Sequence, residues 1–397
     1  MYGLVLEGGG AKGAYHIGAY KAIMEEGIEI KGIAGTSVGA LNGAMIVQGD
    51  FEKAYEIWHN ISYSKVINAS EEELKRIKGG KLSKEDILLL VDSIKGFFVD
   101  KGLDITPLKN LLMELIDEEK IRSSGKDFGI VSVSLTDFKP LEIYIENIPL
   151  GQLVEYLLAS AYLPVFKTER IDGKRYIDGG IYNNLPANLL KDKGYKNLIL
   201  VRTHAPGIVK KIDSRGLNIL TISPKDNLGR VLDFDRETAR YNIKLGYYDG
   251  LKVLRGLKGH HYYIEPINDE DYIIDFLFKL DEKKVLKLKE IFKIEGMPNK
   301  RAVFEILIPK IATILGVEKE SDYEDIFILL LDRLAEIYEI ERFKIYSYHE
   351  LLNLIKQSLR SEENEKVGIV NRIIEKVDLL SFFTKDEIIK EVGKILF

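Results

Sequence analysis

The length, composition and charge of the chain exclude several classes of protein. Its 397 residues are 46% hydrophobic and 30% charged, so the chain can bury a large core and lacks the composition of a disordered protein. The net charge is −5 and neither sign forms long blocks, which argues against a nucleic-acid-binding protein. The chain has no cysteine, which excludes disulfide frameworks, cysteine nucleophiles and cysteine-ligated metals.

The N-terminus does not have the pattern of a targeting signal. Its first seven residues lack a basic region and a long apolar stretch, and a glycine-rich segment follows at once. The longest uncharged run, residues 32–49, contains five glycines and is predicted to form a buried strand followed by a buried helix. We therefore expect a cytoplasmic protein without a signal peptide or transmembrane segment, with peripheral association at a membrane left open.

The first 265 residues alternate short apolar runs with stretches of helical spacing. A strand is predicted over residues 2–6, a helix over 14–26 and a second strand over 30–34, which is the length of a right-handed βαβ unit with parallel strands. Further strands are predicted over residues 128–135, 141–145, 198–203 and 217–222. This order predicts an α/β domain with three layers, α/β/α.

Two other segments have their own composition. Residues 51–125 are mostly helical and charged, and we expect an insertion that covers one edge of the sheet and could act as a lid. Only four of the 34 glycines follow residue 265, and residues 266–397 repeat apolar side chains at helical spacing. The sequence therefore predicts a domain over residues 1–265 and an all-helical C-terminal region of unknown role over residues 266–397.

The first chemical signal is a glycine-rich loop between the first strand and the first helix. Residues 7–13 read Glu-Gly-Gly-Gly-Ala-Lys-Gly, and such a loop can point several backbone N–H groups at an anion. The spacing Gly8-x-Gly10-x-x-Gly13 also matches a dinucleotide-binding fingerprint, with Glu29 as a candidate ribose partner. A tight turn that binds nothing is the structural alternative.

The second signal follows the next predicted strand. Residues 35–39 read Gly-Thr-Ser-Val-Gly, which is the G-x-S-x-G pattern of a nucleophile elbow between a strand and a helix. Gly35 and Gly39 remove side chains that would clash in so sharp a turn, and Ser37 is predicted to lie at the edge of the sheet. A structural turn would explain the pattern equally well if it stood alone.

The two loops are expected to be neighbours. If the first two strands are parallel and adjacent, their carboxyl ends lie at the same sheet edge, about 5 Å apart. The N–H groups of Gly8, Gly9 and Gly10 are then predicted to form an oxyanion hole beside Ser37, each donor contributing roughly 2.7 to 4 kcal/mol to transition-state stabilisation. Lys12 would add positive charge nearby, or would be a solvated lysine at a helix start.

A base for the serine is predicted in a third motif. Residues 176–180 read Tyr-Ile-Asp-Gly-Gly, so a strand delivers Asp178, and Gly179 and Gly180 allow the backbone to turn. An acidic turn residue without chemistry is the alternative interpretation. Among the histidines, His204 follows an apolar run, and a Ser-His-Asp hydrolase would be preferred if only a His204 variant lost activity.

Together, these motifs resemble the patatin-like phospholipases. The matching segments are residues 8–13, 35–39 and 178–180, and residues 159–164, Ala-Ser-Ala-Tyr-Leu-Pro, are similar to the A-S-x-x-x-P segment of the family. Four motifs in this order are far more specific than one, and the resemblance covers roughly residues 1–205. The chain differs from the family pattern at Glu7, where aspartate is frequent, and at Lys12, where arginine is frequent.

The resemblance implies a lipid acyl hydrolase with a three-layer fold and a mainly parallel sheet. Ser37 would be the nucleophile and Asp178 the base, and fatty acids would be released from lipid esters at a membrane or micelle surface without a metal or organic cofactor. Phe97, Phe98 and Val99 in the insertion are candidate lipid contacts, with core packing as the alternative. A dinucleotide-dependent oxidoreductase and a non-catalytic lipid-binding protein are the competing functions.

Overall fold

A computed structural model describes residues 1–70, 103–317, 321–366 and 384–397. The described chain divides into two compact units, Met1–Leu254 and Arg255–Phe397. The division lies ahead of the composition change near residue 265, because a strand at Tyr263–Glu265 pairs within the second unit. Phe97, Phe98 and Val99 lie outside the described residues, so their contact with lipid stays a prediction.

In the residues that the structure describes, the first unit contains a mixed sheet of eight strands. In chain order they are β1 (Tyr2–Leu6), β2 (Ile30–Thr36), β3 (Asp127–Ser134), β4 (Lys139–Tyr144), β5 (Arg170–Ile171), β6 (Lys174–Asp178), β7 (Asn197–Val201) and β8 (Asn218–Ile222). The strand order is β5-β6-β3-β2-β1-β7-β8, and β4 also pairs with β3. The pairs β3–β2, β2–β1, β1–β7 and β7–β8 are parallel, whereas β4 and β6 run antiparallel to β3. The predicted α/β fold with a mainly parallel sheet is confirmed.

Helices cover both faces of this sheet. The helices described are α1 (Ala14–Glu25), α2 (Val38–Gln48), α3 (Phe51–His59), α4 (Tyr63–Val66), α5 (Thr106–Leu115), α6 (Glu118–Ser123), α7 (Leu153–Ala161), α8 (Ala187–Asp192) and α9 (Arg236–Arg255). Alternate residues of a strand face opposite sides of the sheet. Val5 and Ala34 therefore pack in one apolar cluster with Leu190 of α8, while Ile33 and Phe128 face Gly43 of α2 on the other side.

The second unit is built around a helical core. Its described helices are α10 (Glu270–Phe278), α11 (Glu282–Ile291), α12 (Asn299–Ala302), α13 (Ile308–Leu315), α14 (Tyr323–Ile337), α15 (Tyr348–Lys366) and α16 (Lys385–Leu396), with a π-helical segment, Val303–Leu307, between α12 and α13. Its described part also contains two short parallel strands, β9 (Tyr263–Glu265) and β10 (Ile345–Ser347). The helical prediction is confirmed except at β10, whose three residues are too few to give a strand pattern.

Buried Asp332 of α14 joins the beginning of this unit to its helical core. Its carboxylate accepts hydrogen bonds from the backbone N–H groups of His260, His261 and Tyr262. A buried carboxylate requires such partners, because desolvation would otherwise disfavour its charge.

As for membrane insertion, none of the helices in the described ranges is both long and apolar enough to cross a bilayer.

Candidate active site

Strand β3 positions both side chains that the sequence singled out most strongly. Strand β2 pairs with β3 up to Thr36, which lies opposite Val131. The next residue of β3, Ser132, lies opposite Asp178 at the end of β6. Because β2 and β6 approach from opposite directions and end at adjacent positions of β3, Ser37 and Asp178 are brought to the same place on the sheet edge.

Ser37 occupies a strained turn between β2 and α2. Its φ is 55° and its ψ is −129°, a conformation that L-residues other than glycine adopt at a cost of roughly 1 to 3 kcal/mol. Its backbone N–H donates to Oγ of buried Ser160 at 2.9 Å, and that hydroxyl donates to the carbonyl of Val131 at 2.6 Å. Ser160 therefore joins the turn to β3 and opposes its relaxation.

The two glycines of the elbow are required by close backbone contacts. A Cβ on Gly35 would lie 2.3 Å from the carbonyl oxygen of Gly39, and a Cβ on Gly39 would lie 2.2 Å from the carbonyl oxygen of Leu6. Real Cβ atoms do not approach a backbone oxygen so closely. The first turn of α2 can therefore pack directly against the end of β1, which places Ser37 at the N-terminus of the helix, where the dipole favours negative charge.

Asp178 is buried and only partly hydrogen-bonded. Its Oδ1 accepts a hydrogen bond of 2.7 Å from the N–H of Gly180, while its Oδ2 has no hydrogen-bond partner among the described residues. Burial raises the pKa of Asp178 to about 6, although the nearby Ser37 hydroxyl and the Gly180 N–H both lower it. The site thus holds a buried carboxylate of increased basicity next to a serine hydroxyl.

The glycine loop lies beside Ser37, but its three N–H groups are not equivalent. The N–H of Gly8 donates to the carbonyl of Asn184 at 3.0 Å and is therefore already engaged, contrary to the expectation that it would be free to bind an oxyanion. Within the described part of the chain, the N–H groups of Gly9 and Gly10 donate no hydrogen bond. Gly10, which has a φ of 54°, also lines the same cavity as Ser37.

Glu7 fixes this loop to the segment that follows β7, a role that no motif in the sequence indicates. The buried Glu7 carboxylate accepts hydrogen bonds from the backbone N–H groups of Thr203 and His204 at 2.6 and 3.0 Å and forms an ion pair with Arg202. Lys12 is also buried, with its Nζ 3.4 Å from the Thr203 carbonyl. An acidic residue at the end of an apolar strand was the available signal, but its partners lie almost 200 residues away.

Buried Asn184 is a second residue whose place could not be read from the motifs. Its carbonyl receives the Gly8 N–H, and a Cβ on Gly8 would lie 2.1 Å from its side-chain oxygen and 3.3 Å from Cβ of Ser37. Its Nδ2 has no hydrogen-bond partner in the residues that the structure describes. Asn184 therefore lies between the glycine loop and the turn at Gly180.

Two alternative sequence interpretations are not supported by the positions of their residues. Glu29 precedes β2, so it lies at the opposite sheet edge from the glycine loop, where it is exposed and paired with Lys31. The dinucleotide interpretation that used Glu29 as a ribose partner is therefore wrong. His204 is exposed and places its Nε2 2.6 Å from Oγ of Ser223, not against Ser37.

An apolar cavity lies beside Ser37, which is one of its lining residues. It encloses about 780 Å³ of empty space, part of which is open to solvent. The lining is contributed mainly by α2, by α3 to α5 of the predicted insertion and by the segment after α7, and it includes Val38, Leu41, Met45, Ile57, Trp58, Leu108, Leu111, Leu112, Leu163 and Phe166. The described part of the insertion thus forms a wall of the cavity, and its action as a lid stays a prediction.

A comparison with known proteins identifies the fold family of this site. The sequence model described as patatin-like phospholipase matches residues 4–191. This segment belongs to the patatin-like phospholipase family. It contains the glycine loop, Ser37, Ser160 and Asp178, whereas the second unit lies beyond the match.

Relatives of the patatin-like segment are much larger proteins. A patatin-like phospholipase domain-containing protein of Caenorhabditis elegans, ZK370.4, is 24% identical over 80% of this chain and 22% of its own length. Patatin-like phospholipase domain-containing protein 7 of Rattus norvegicus is 30% identical over 50% of this chain and 13% of its own length. Neuropathy target esterase sws of Drosophila melanogaster is 28% identical over 50% of this chain and 12% of its own length. This chain therefore spans less than a quarter of these relatives.

Among solved structures, the chain resembles VipD from Legionella pneumophila with a TM-score of 0.37 and 14% identity. That alignment covers 100% of this chain and 91% of VipD. ExoU from Pseudomonas aeruginosa, in its complex with SpcU, aligns with a TM-score of 0.36 and 12% identity over 93% of this chain and 78% of the other.

Proposed function

We propose that this chain is a serine acyl hydrolase that releases fatty acids from lipid esters, with Ser37 as the nucleophile and Asp178 as the general base. The observation that carries the proposal is the strained Ser37 in the lining of an apolar cavity, beside a buried carboxylate whose Oδ2 has no hydrogen-bond partner among the described residues. The match of residues 4–191 to the patatin-like phospholipases supports lipid hydrolysis as the general activity.

The first half of the reaction forms an acyl-enzyme. Oγ of Ser37 attacks the acyl carbonyl carbon while Oδ2 of Asp178 accepts the hydroxyl proton. The N–H groups of Gly9 and Gly10 donate to the oxyanion, and the N-terminus of α2 favours the same negative charge. When the tetrahedral intermediate collapses, the ester C–O bond breaks and Asp178 returns its proton to the leaving alkoxide.

The second half releases the fatty acid. A water molecule attacks the acyl carbon, again losing its proton to Asp178, and Ser37 recovers that proton as it leaves. No electron transfer occurs in either half, so the steps balance with water as the only co-reactant. The Gly8 N–H can join the oxyanion hole only by giving up its bond to the carbonyl of Asn184.

The apolar cavity suits the acyl chain of the substrate. Val38, Leu41 and Met45 lie along one side of α2, starting next to the nucleophile. Since an α-helix rises about 1.5 Å per residue, these side chains follow roughly 12 Å of apolar wall from Ser37 to Met45. Burying an alkyl chain there removes apolar surface from water and directs its carboxyl end towards Ser37. We expect this lipid ester to be presented at a membrane or micelle surface.

The test of the proposed nucleophile is covalent labelling with a fluorophosphonate, followed by intact mass and peptide mapping. We expect one adduct, on Ser37, that is absent from Ser37→Ala and strongly slowed in Asp178→Asn. Ser223→Ala is the matched control, because Ser223 contacts His204 and follows β8, which is separated from β6 by four strands of the described sheet. An adduct on Ser223 would instead support a histidine-dependent hydrolase, and vesicle binding without any adduct would support a non-catalytic lipid-binding protein.

Trp58 provides a direct reporter of the cavity. It is the only tryptophan in the sequence, it lines the cavity, and its indole N–H donates to Oδ1 of Asn42 at 2.8 Å. We expect a medium-chain fatty acid to change the intrinsic fluorescence of the Ser37→Ala variant in a saturable manner. Trp58→Phe should abolish this change, and an acid that fails to change the emission at saturating concentration would contradict the assignment of the acyl site.

Ser160→Ala tests the support of the strained turn. It leaves the buried Ser37 N–H without its acceptor, which costs roughly 1 to 3 kcal/mol of stability. We expect kcat to fall about tenfold or more with little change in KM, because the hydroxyl positions Ser37 without contacting the substrate. Ser134→Ala is the matched control, since this buried serine of the same strand donates to the carboxylate of Asp137 in the β3–β4 hairpin turn instead. Equal kinetic losses in both variants would contradict the specific role of Ser160.

A further inference from the structure

We propose that the loop at residues 206–211, here called the docking loop, places the first unit on an anionic lipid surface with Ser37 facing that surface. The loop reads Pro-Gly-Ile-Val-Lys-Lys and follows β7 at the same sheet edge as Ser37. The inference rests on the proposed function, since docking at this edge would bring lipid esters towards the cavity that Ser37 lines. The contacts and the exposure of the loop do not depend on whether Ser37 acts as a nucleophile.

The docking loop is tied directly to the loops of the site. The Ile208 N–H donates to the carbonyl of Gly180 at 2.8 Å, and the Ile208 carbonyl accepts the Asn184 N–H at 2.6 Å. The Asn184 carbonyl in turn receives the Gly8 N–H. Each of these bonds joins backbone to backbone, so the position of the loop does not depend on its own side chains.

Apolar side chains are held outward in this fixed loop. Ile208 is 56% exposed and Val209 is 39% exposed, although both are adjacent to a buried site. At the tip of the β3–β4 hairpin, on the same sheet edge, Phe138 is 86% exposed. Exposed apolar side chains near a binding site, flanked by polar residues, are typical of surfaces that contact a membrane or another molecule.

Positive charge next to these side chains favours an anionic lipid surface as the partner. Lys210 and Lys211 follow Val209 directly, and Nζ of Lys210 lies 3.2 Å from the centre of the Tyr182 ring. The nearby acidic residue Asp213 is already paired with Arg215 and with Lys191, so it does not cancel the two lysines. Anionic headgroups attract such lysines while the apolar side chains enter the interfacial region.

The test measures vesicle binding directly, in the full chain carrying Ser37→Ala so that no lipid is consumed. Co-sedimentation is compared between phosphatidylcholine vesicles and vesicles of equal parts phosphatidylcholine and phosphatidylglycerol. We expect tighter binding to the anionic vesicles and a roughly tenfold or larger loss of that binding when Lys210→Gln and Lys211→Gln are added. Ile208→Ser with Val209→Ser should weaken binding to both vesicle types by a similar factor.

The matched control is Leu150→Ser. Leu150 is 82% exposed but follows β4, which runs antiparallel to β3 and therefore ends at the opposite sheet edge. Unchanged binding in the docking-loop variants, an equal loss in Leu150→Ser, or no binding to anionic vesicles would overturn the inference. Melting temperatures within a few degrees of the parent verify that each variant is folded.

A separate assay distinguishes failure of docking from failure of the proposed function. The native sequence is given a dispersed short-chain ester that forms no surface. Hydrolysis of that ester without vesicle binding through the loop refutes docking and leaves the hydrolase intact. Loop-dependent vesicle binding without any hydrolysis refutes the hydrolase and leaves docking in place.

Discussion

Replacing Ser37 with alanine is expected to lower kcat on a dispersed lipid ester by about 10⁴-fold or more, because nucleophile and base act as one unit. The fold should remain, since only the hydroxyl is lost from a side chain whose Cβ is retained. Fatty-acid release, measured by titration or by mass, checks the result. Activity at the native level in Ser37→Ala would remove Ser37 from the mechanism, and Ser223→Ala serves as a control for loss of an unrelated serine.

Ser37→Gly separates catalysis from the strain at the same position. Glycine adopts a φ of 55° without the penalty that a Cβ imposes, so this variant should be about 1 kcal/mol or more stable than Ser37→Ala. Both variants should be equally inactive. Urea unfolding of the two proteins measures the difference, and a glycine variant less stable than the alanine variant would argue against strain in the turn.

Replacing Asp178 with asparagine is expected to lower kcat by roughly 10⁴-fold. Asparagine has nearly the same shape as aspartate, but its amide cannot accept the Ser37 proton. In the native sequence, kcat/KM should rise with pH around an apparent pKa of about 6 as Asp178 ionises. The pH profile of hydrolysis checks both statements. Native-level activity in Asp178→Asn, or a flat profile between pH 5 and pH 8, would contradict the role of Asp178 as base.

The same substitution should stabilise the fold. Because burial raises the pKa of Asp178 from 3.8 to about 6, its contribution to stability is present below pH 3.8 and is lost as pH rises through about 6. Above that pH, ionised Asp178 costs about 3 kcal/mol, which an uncharged asparagine avoids. Urea unfolding should show the gain at pH 8 and a smaller gain near pH 5. A variant less stable than the native sequence at pH 8 would show that the carboxylate is solvated.

Those parts of the fold that depend on residues close together in the chain could be predicted from the sequence. The βαβ unit, the G-x-S-x-G turn and the strand before Asp178 are each encoded within a few residues by apolar spacing and glycine. The expectation that parallel neighbouring strands bring the glycine loop to Ser37 needs only the strand order. In each case the local pattern and the final structure agree.

The remaining features depend on partners far apart in the chain. Three contacts form only once the sheet is complete. The Asn184 carbonyl then accepts from Gly8, the Ser160 hydroxyl accepts from Ser37, and backbone N–H groups after β7 donate to Glu7. No periodicity or motif reports such a contact in a single sequence. The pairing that draws β9 into the second unit is of the same kind.

The place of β6 in the sheet has a consequence for how activity is lost on heating. Its outer neighbour is β5, a strand of only two residues, whereas β1 is paired along its whole length on both sides. Strands near an edge open locally at a smaller free energy than central strands. Asp178 would then separate from Ser37 before the sheet melts, so reversible inactivation would precede global unfolding. Hydrogen exchange should accordingly be faster in β6 than in β1.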